Sequence, residues 1–465
     1  MSQKNEIKIL TLSLLLTAGL VGSGIWWFTS GVKLEQSITN SQIENNNIKV
    51  TERISFGEKS LINGDIPNLK KEAIQALANK NYQQAVSNFT SSLKAKPNDP
   101  ESLIFLNNAR IGTNKSYTLV ACVPIGSDPN ASAEILRGIA QAQNEINLAG
   151  GIKGVSLKIG IADDDDKPEI SQQIAAALIK NPEVLGVIGP NTSDSTLAAG
   201  KVYTEGELVA ISPTSTSVKI SNFSRFVFRT VPSDFMAART LANYMFKNLA
   251  KKKAAVFYNS QSNYSQSLKS EFVSAVSLEG GQISGEFDLS KADFSPSASI
   301  EQAIKQGAEV LMLAANSETL DKALQVVQLN QKRLTLLAGD DVYTVKTLDI
   351  GREQALDMVV AVPWHINADP NSQFPAQSRQ LWGGDVSWRT ALAYDATRAL
   401  IAALGVSPTR SGVQQALTTP GFSTTGASGT IQFLPSGDRN APVQLVKVVK
   451  GDRSRTGYDF TPISK

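Results

Sequence analysis

The sequence predicts an α/β protein in which parallel sheets flanked by helices are divided between two lobes. From Ser116 onwards, short apolar runs alternate with helical patterns, as in parallel strands joined by helices. This stretch of about 340 residues exceeds the size at which one hydrophobic core stops growing, so we expect two lobes. The chain has 465 residues, 42% of them hydrophobic, and a net charge of +3, which is an ordinary globular balance.

Residues 1–31 are predicted to be an uncleaved membrane anchor with a cytoplasmic N-terminus. After Lys8 the chain carries no charged side chain as far as Phe28, a run of roughly 20 residues that is long enough to cross a bilayer. A cleaved signal peptide is the alternative, but it requires a shorter apolar run followed by a small-residue cleavage site. The anchor predicts a bacterial inner-membrane protein whose bulk is extracytoplasmic. Residues 32–67 are polar and are interpreted as a linker.

Residues 68–114 are predicted to be helical and resemble the tetratricopeptide repeat. The resemblance rests on the spacing of Tyr82, Ala85, Phe89 and Pro97. Only about one and a half repeats are present, whereas such repeats normally stack to bury a core. This segment is therefore expected to pack on the neighbouring domain, on another copy of the chain or on a protein partner.

Two neighbouring strands each end in a loop of hydroxyl side chains. The apolar run Val184–Ile188 leads into Asn191–Asp194 and a helix of small residues, and Leu208–Ile211 leads into Ser212–Thr216. Ligands in open α/β sheets lie outside the carboxyl ends of the strands. Hydroxyls, backbone amides and a helix N-terminus suit a carboxylate, although ordinary turn and cap chemistry uses the same residue types.

The rest of the chain continues the alternation of strands and helices. Helices are expected around Ile135–Ile146 and Ile170–Leu178, from Asp234, from Ser265, and at Trp388–Leu404. The other predicted strands are Leu119–Ile125, Val155–Ala162, Phe226–Arg229, Ala254–Tyr258, Gln282–Phe287, Glu309–Leu313, Leu334–Leu337, Met358–Val362, Thr430–Phe433 and Val443–Val449.

Several other functional classes find little support in the sequence. Cys122 is the single cysteine and lies in an apolar run, so no intrachain disulfide or zinc cluster is possible. His365 is the single histidine and no GxSxG motif accompanies it, which argues against a catalytic triad and leaves a hydrolase without a base. Asp163–Asp166 lack the spacing of a calcium loop, and Lys251–Lys253 are interpreted as a solvated end of a helix. We predict no enzyme, cofactor, metal or nucleic-acid function.

The segment from Ser116 to about Phe460 resembles the type I periplasmic-binding-protein family. It looks closest to the branched-chain amino acid and amide-binding components of ABC importers. The motifs that carry the resemblance are Arg137-Gly138, Asn147 to Gly154, Asp163-Asp164, Ile188-Gly189-Pro190 with Ser193, Ile211 to Thr216, Arg229 to Asp234, Phe294-Ser295, Ala393 to Ala396, and Gly426 to Ile431.

The resemblance implies two α/β lobes joined by three crossovers that close on a ligand by hinge motion. The binding-protein domain spans about 116–460. Lobe I is expected at about 116–233 and 364–428, and lobe II at about 234–363 and 429–460.

The resemblance also implies a set of ligand residues. Ser193 matches the serine that holds a ligand α-carboxylate, and Thr216 matches the hydroxyl that holds its amino group or carboxylate. Tyr264 matches the tyrosine that covers the ligand. Asp341 matches the acid that pairs with its ammonium, with Asp340 as the alternative if the register slips by one. Thr214, Ser215 and Asn316 complete the predicted set.

Some features depart from the family pattern. The loop after Leu313 reads Ala314 to Glu318 and offers Asn316 where leucine binders often have tyrosine. The family's lobe I disulfide would need cysteines near Asp166 and Thr192, and none is present. A small polar amino acid or an amide therefore fits at least as well as leucine.

Two functions remain open at this level. The first is a membrane-anchored receptor for an amino acid or related small polar ligand, serving ABC-type uptake through a permease or sensing through a signalling partner. The second is a protein-interaction module on the same scaffold, resembling regulators of cell-wall synthases, with no small ligand and with a partner for the helical segment.

Overall fold

The computed structural model describes residues 50–62 and 64–463. The chain divides into two compact units, Met1–Arg53 and Ile54–Lys465. Of the first unit only one helical turn at residues 50–53 is described, so the predicted anchor lies outside the described residues. The α-helices of the second unit are Asn68–Ala78, Tyr82–Ala95, Pro100–Ile111, Pro129–Leu148, Pro168–Lys180, Ser193–Glu205, Asp234–Lys247, Asn263–Leu278, Pro296–Lys305, Leu320–Asn330, Val345–Gly351, Phe374–Trp382, Trp388–Val406 and Arg410–Thr418.

Two large sheets form the two lobes, as the alternating pattern predicts. The lobe I sheet has the order β1-β3-β2-β4-β5-β6, and the lobe II sheet has the order β15-β14-β11-β10-β9-β7-β8. The strands are β1 Ile54–Ser55, β2 Ser116–Val123, β3 Ser156–Asp163, β4 Val184–Ile188, β5 Ala210–Ser212, β6 Val227–Arg229, β7 Lys253–Tyr258, β8 Gln282–Asp288, β9 Val310–Ala314, β10 Thr335–Ala338, β11 Val359–Val362, β12 Thr424–Gly426, β13 Gly429–Ile431, β14 Gln444–Lys450 and β15 Tyr458–Pro462.

The strands from β2 to β6 and from β7 to β11 pair in parallel, and apolar residues fill both sheets. This is the pattern of strands covered by helices on both faces. Antiparallel β14 and β15 extend the lobe II sheet beyond β11. The β4 strand has the predicted bounds, because Gly189 and Pro190 end the apolar run.

The chain crosses between the lobes three times: after β6, after β11 and before β14. The third crossing comes later than the sequence predicts. Residues 429–439, expected in lobe II, lie against lobe I instead. The Arg439 guanidinium pairs with the fully buried Asp395 carboxylate at 3.2 Å, and Asp438 pairs with Arg229 at 2.7 Å. These two ion pairs hold the segment on lobe I until about residue 440.

The helical segment packs on its neighbouring domain, which is one of the three expected possibilities. Its buried side chains, including Phe89 and Phe105, belong to the same apolar core as lobe I. Strand β1 adds an antiparallel edge to β3, so part of the predicted linker is a structured piece of lobe I. Edge pairing of this kind covers unpaired backbone groups of the sheet.

Asn108 joins the helical segment to the lobe I sheet through hydrogen bonds of its side chain. Its side-chain amide donates to the Phe56 carbonyl at 2.9 Å and to the Ile159 carbonyl at 2.7 Å. Its oxygen accepts from the Ile159 amide and from the side chain of Gln143. One buried asparagine thus bridges β1, β3 and a lobe I helix, and its hydrogen-bonding groups are used within the protein.

Candidate functional site

The two hydroxyl-rich loops lie side by side at the carboxyl ends of β4 and β5, facing lobe II. Ser193 begins the helix Ser193–Glu205 and is 1% exposed. Its hydroxyl accepts from the backbone amide of Ser217 at 3.2 Å. The predicted convergence of these two loops is therefore present in the structure.

Thr214 and Ser215 use their hydroxyls to join the two loops. Thr214 Oγ1 donates to the Asn191 carbonyl at 2.7 Å, and Ser215 Oγ contacts the same carbonyl at 3.0 Å. Ser215 Oγ also lies 2.8 Å from Thr196 Oγ1. The side chains of these two predicted ligand residues consequently hold the site's shape.

Arg229 orients the loop that follows β5. Its guanidinium is fully buried and donates to the carbonyls of Ser217 and Ser215 at 2.8 and 3.3 Å, while Asp438 balances its charge. Since the arginine binds these carbonyls, it fixes the backbone of the loop. Arg229 belongs to one of the motifs that carry the family resemblance, and this role was not predicted from the sequence.

Thr216 Oγ1 and Asp234 Oδ2 are buried side by side. Neither atom makes a hydrogen bond of good geometry within the described residues, although the Thr216 hydroxyl is close enough to the Asp234 carboxylate to lower its pKa. The backbones also meet, because the Asp234 amide donates to the Thr216 carbonyl at 2.9 Å. A buried polar atom with incomplete hydrogen bonding is costly, and contact with a ligand is one arrangement that satisfies it.

Asp234 is an acid that the sequence analysis missed as a ligand residue. Burial raises the pKa of its carboxyl to about 7; the hydroxyls of Ser267 and Thr216 lower the pKa, and the charge of Asp340 raises it. Its place at the end of the Arg229–Asp234 motif, directly after the first crossover, is the signal that could have identified it.

Tyr264 and Asp340 form a buried pair in lobe II. The Tyr264 hydroxyl donates to Asp340 Oδ1 at 2.7 Å. Burial raises the pKa of Asp340 to about 7, the neighbouring charge of Asp341 adds to this, and the Tyr264 hydrogen bond opposes it. The structure therefore brings together the predicted tyrosine and the alternative acid next to Asp234.

Asp341, the acid predicted to hold a ligand ammonium, is paired across the lobes. Arg389, at the start of the lobe I helix Trp388–Val406, places Nη2 2.6 Å from Asp341 Oδ1. Burial raises the pKa of Asp341, Arg389 lowers it, and Asp128 raises it. The protein's own guanidinium occupies one oxygen of this carboxylate, a contact that the sequence analysis did not foresee.

Further hydrogen bonds join the lobes beside this pair. The carboxylate of Asp194 in lobe I accepts from both the backbone amide and the side chain of Asn263 in lobe II. It thereby caps the N-terminus of the helix Asn263–Leu278, where a negative charge is favourable. The Val218 amide donates to Ser267 Oγ at 3.0 Å. The lobes are in contact along the mouth of the cleft.

Asn316 is engaged within lobe II. Its side-chain oxygen accepts from Asn259 at 3.0 Å and from the Thr319 hydroxyl at 2.8 Å, which caps its own turn. The backbone of the next residue, Ser317, hydrogen-bonds to Asp341. The loop that contains Asn316 therefore borders the site, and its asparagine side chain stabilises that loop.

The acidic turn Asp163–Asp166 holds the loop that follows β4. Asp166 accepts from the Asn191 side chain at 2.9 Å and from the Thr192 amide at 3.3 Å. Asp166 thus links the two positions that the lobe I disulfide joins in other members of the family. Among the described residues, no group of three or more His, Cys, Asp or Glu side chains could hold a metal ion.

His365 and Cys122 are both buried in the protein interior. Asn367 donates its amide to His365 Nδ1, so Nε2 carries the proton toward the Phe460 carbonyl at 3.1 Å. Burial lowers the pKa of His365 to about 4. Cys122 is a buried free thiol in β2, as predicted for a strand cysteine.

Comparison with known proteins identifies the fold and the family. The family described as "Periplasmic binding protein" matches residues 125–455. An "Amino acid binding protein" of Pseudomonas aeruginosa is 31% identical over 144 residues, which are 31% of this chain and 38% of that protein. A "Leu/Ile/Val-binding protein homolog 3" of Brucella melitensis is 30% identical over 181 residues, 38% of this chain and 48% of that protein. The chain thus spans less than half the length of these curated relatives.

Solved structures agree on the fold. A leucine-binding protein from Thermotoga maritima superposes with a TM-score of 0.65 at 23% identity, covering 74% of this chain and 97% of its own. A substrate-binding protein from Rhodopseudomonas palustris in complex with 4-hydroxybenzoate reaches 0.65 at 17% identity, covering 75% of this chain and 96% of its own. Residues 50–62 and 64–463 include no helix of sufficient length and apolarity to span a bilayer.

Proposed function

Because the chain belongs to the periplasmic binding protein family, we propose that it is an extracytoplasmic receptor that binds an amino acid or related amino compound between its two lobes. The family binds solutes and is not a family of enzymes. The names of the curated relatives, which refer to amino acids and to leucine, isoleucine and valine, support this ligand class.

One observation carries the proposal: Thr216 Oγ1 and Asp234 Oδ2 are buried side by side where the lobes meet, and neither makes a hydrogen bond of good geometry within the described residues. A hydroxyl and a carboxylate oxygen next to each other suit a ligand with a donor such as an ammonium group. Closure of the lobes removes water and strengthens such contacts.

The charges around the site favour a cationic group on the ligand. Asp234 and Asp340 are buried, Asp341 is partly exposed beside Asp340, and Arg389 neutralises part of this charge. Burial raises the pKa of each of these carboxyls, so a bound ammonium would stabilise their ionised forms. Since Arg389 already engages Asp341, we assign the ligand ammonium to Asp234 and Asp340, with the hydroxyls of Thr216 and Ser193 nearby.

We further propose that residues 1–31 anchor the receptor in a bacterial inner membrane, with residues 32 onwards outside the cytoplasm. The uncharged run after Lys8 supports the anchor. The receptor would deliver its ligand to an ABC permease or report its occupancy to a signalling partner.

A panel of amino acids, amides and the corresponding carboxylic acids without an amino group tests the ligand class by thermal unfolding. A ligand at about 100 times its dissociation constant should stabilise the protein by roughly 2.7 kcal/mol. We expect stabilisation by an amino compound and none by its deaminated counterpart. Asp234→Asn should abolish the effect, whereas Asp349→Asn, at an exposed position, should retain it. Equal stabilisation by both compounds would contradict the assignment of the ammonium.

A protein-interaction module without a small ligand is the second candidate, and the Arg389–Asp341 pair favours it because the protein's own side chain engages the predicted ligand acid. The helical segment gives this candidate no support, since its apolar face is buried in lobe I. A wild-type protein that no member of the panel stabilises would favour the module over the receptor.

A further inference from the structure

A cavity lies at the hinge, outside the site between the lobes. It has a volume of about 450 Å³, within the range of small-molecule sites. Its wall includes Trp364, directly after the second crossing, and Gln444, directly after the third. Gln444 also pairs in register with Val362 at the end of β11. The cavity is therefore bordered by two of the three segments that connect the lobes.

Aromatic rings form one side of this cavity. The rings of Trp364 and Phe374 lie 5.9 Å apart, and those of Phe374 and Tyr394 lie 4.9 Å apart. The Tyr394 hydroxyl donates to Glu145 at 2.6 Å, so its proton is already used within the protein. The rings offer flat apolar surface to an occupant.

Two polar atoms on lining side chains lack partners. Arg398 Nε and Gln444 Oε1 are buried without a hydrogen bond. The neighbouring acid Asp395 pairs with Arg439, and within residues 50–62 and 64–463 no ion pair with a carboxylate is seen for Arg398. The other charged lining residue, Asp369, is exposed and accepts from the Asn371 amide in its own turn. A guanidinium without an acid, beside aromatic walls, suits a planar carboxylate.

We propose that this hinge cavity is a second ligand site that binds a small aromatic carboxylate. The ligand's carboxylate would accept hydrogen bonds from Arg398, and a donor group of the ligand would bind Gln444 Oε1. The site is independent of the one between the lobes and shares no residue with it. An occupant would contact both crossing segments and so bias the movement of the hinge.

Calorimetric titration of the full chain with 4-hydroxybenzoate tests the site, because this probe carries a carboxylate and a hydroxyl donor on one ring. We expect saturable binding to the wild type and to Asp349→Asn, which changes an exposed position. Arg398→Gln should weaken binding by about tenfold or more, as expected for the loss of a charge-assisted hydrogen bond, and Arg398→Lys should weaken it less. Phenol, which lacks the carboxylate, should bind more weakly than the probe.

A second readout uses Trp364 in the cavity wall. The probe should change the tryptophan emission of the wild type, and Trp364→Phe should remove that change. Should Arg398→Gln unfold, Gln444→Leu removes the other unpartnered atom and should weaken binding. Absence of saturable binding to the wild type, unchanged binding in folded Arg398→Gln, or loss of binding in Asp349→Asn would each overturn the proposal.

Discussion

Arg389 of lobe I and Asp341 of lobe II form a salt bridge of 2.6 Å across the mouth of the cleft. The side chains are 10% and 22% exposed, so both charges are largely removed from water. Removing one partner of a pair this buried leaves the other charge uncompensated, which is strongly unfavourable. The pair therefore acts as a latch that favours contact between the lobes.

The latch makes a prediction about the shape of the unligated protein. Arg389→Met should allow the lobes to separate, because the uncompensated Asp341 carboxylate becomes more fully hydrated when the cleft opens. Small-angle X-ray scattering should show a larger radius of gyration than that of the wild type. Lys269→Met is the matched control, since Lys269 pairs with Glu286 within lobe II. An identical radius in the Arg389 and Lys269 variants would argue against the latch.

The buried acid Asp234 predicts a pH dependence of stability. Its pKa is about 7 when folded and about 3.9 when unfolded. The folded state therefore holds the proton more tightly, and the contribution of this group to stability falls as the pH rises from about 4 to about 7. Asp234→Asn should unfold at nearly the wild-type denaturant concentration at pH 4, but should be more stable at pH 8 by roughly 1 kcal/mol or more. A constant difference between the two proteins across this range would contradict the burial of an ionisable carboxyl.

Ligand affinity should follow the same titration with the opposite sign. As the pH rises through about 7, Asp234 and Asp340 become ionised and attract an ammonium group more strongly. We expect an amino ligand to bind more tightly at pH 8 than at pH 5.5 in calorimetric titrations. Asp234→Asn should reduce this dependence. Tighter binding at the lower pH would be incompatible with an ammonium held by these acids.

Asn108 tests whether the helical segment is part of the domain. Asn108→Ala removes hydrogen bonds to β1, β3 and Gln143, and it leaves buried groups unsatisfied. The free energy of unfolding should fall by roughly 2 kcal/mol or more, and protease should cut residues 54–114 sooner. Asn88→Ala is the control, because Asn88 forms a solvent-exposed bond to Glu72. Equal stabilities for the two variants would show that the contact contributes little.

The local parts of the fold could be predicted because they depend on local patterns. The bounds of β4 follow from an apolar run that Gly189 and Pro190 end. The neighbourhood of Ser193 and Thr216 follows from the rule that the carboxyl ends of parallel strands share an edge. The acids Asp340 and Asp341 were predicted from the resemblance to the family, and the structure places both beside Tyr264.

The unpredicted parts depend on contacts between distant residues. Arg389 reaches an acid 48 positions away, and Asn108 reaches a strand 51 positions away. No periodic pattern marks such pairs. The late third crossing depends on the buried pair Arg439–Asp395, and its residues are 44 positions apart. A single sequence shows the residue types but not their partners.

Calorimetric titration of Thr216→Val with the amino compound that stabilises the wild type tests the receptor proposal most directly. This change keeps the shape of the side chain and removes the buried hydroxyl beside Asp234. The same change at Thr240, whose hydroxyl bonds within its own helix, is the control. We predict that Thr216→Val binds about tenfold more weakly and that Thr240→Val binds as the wild type does. Wild-type affinity in Thr216→Val would contradict a ligand held at this position.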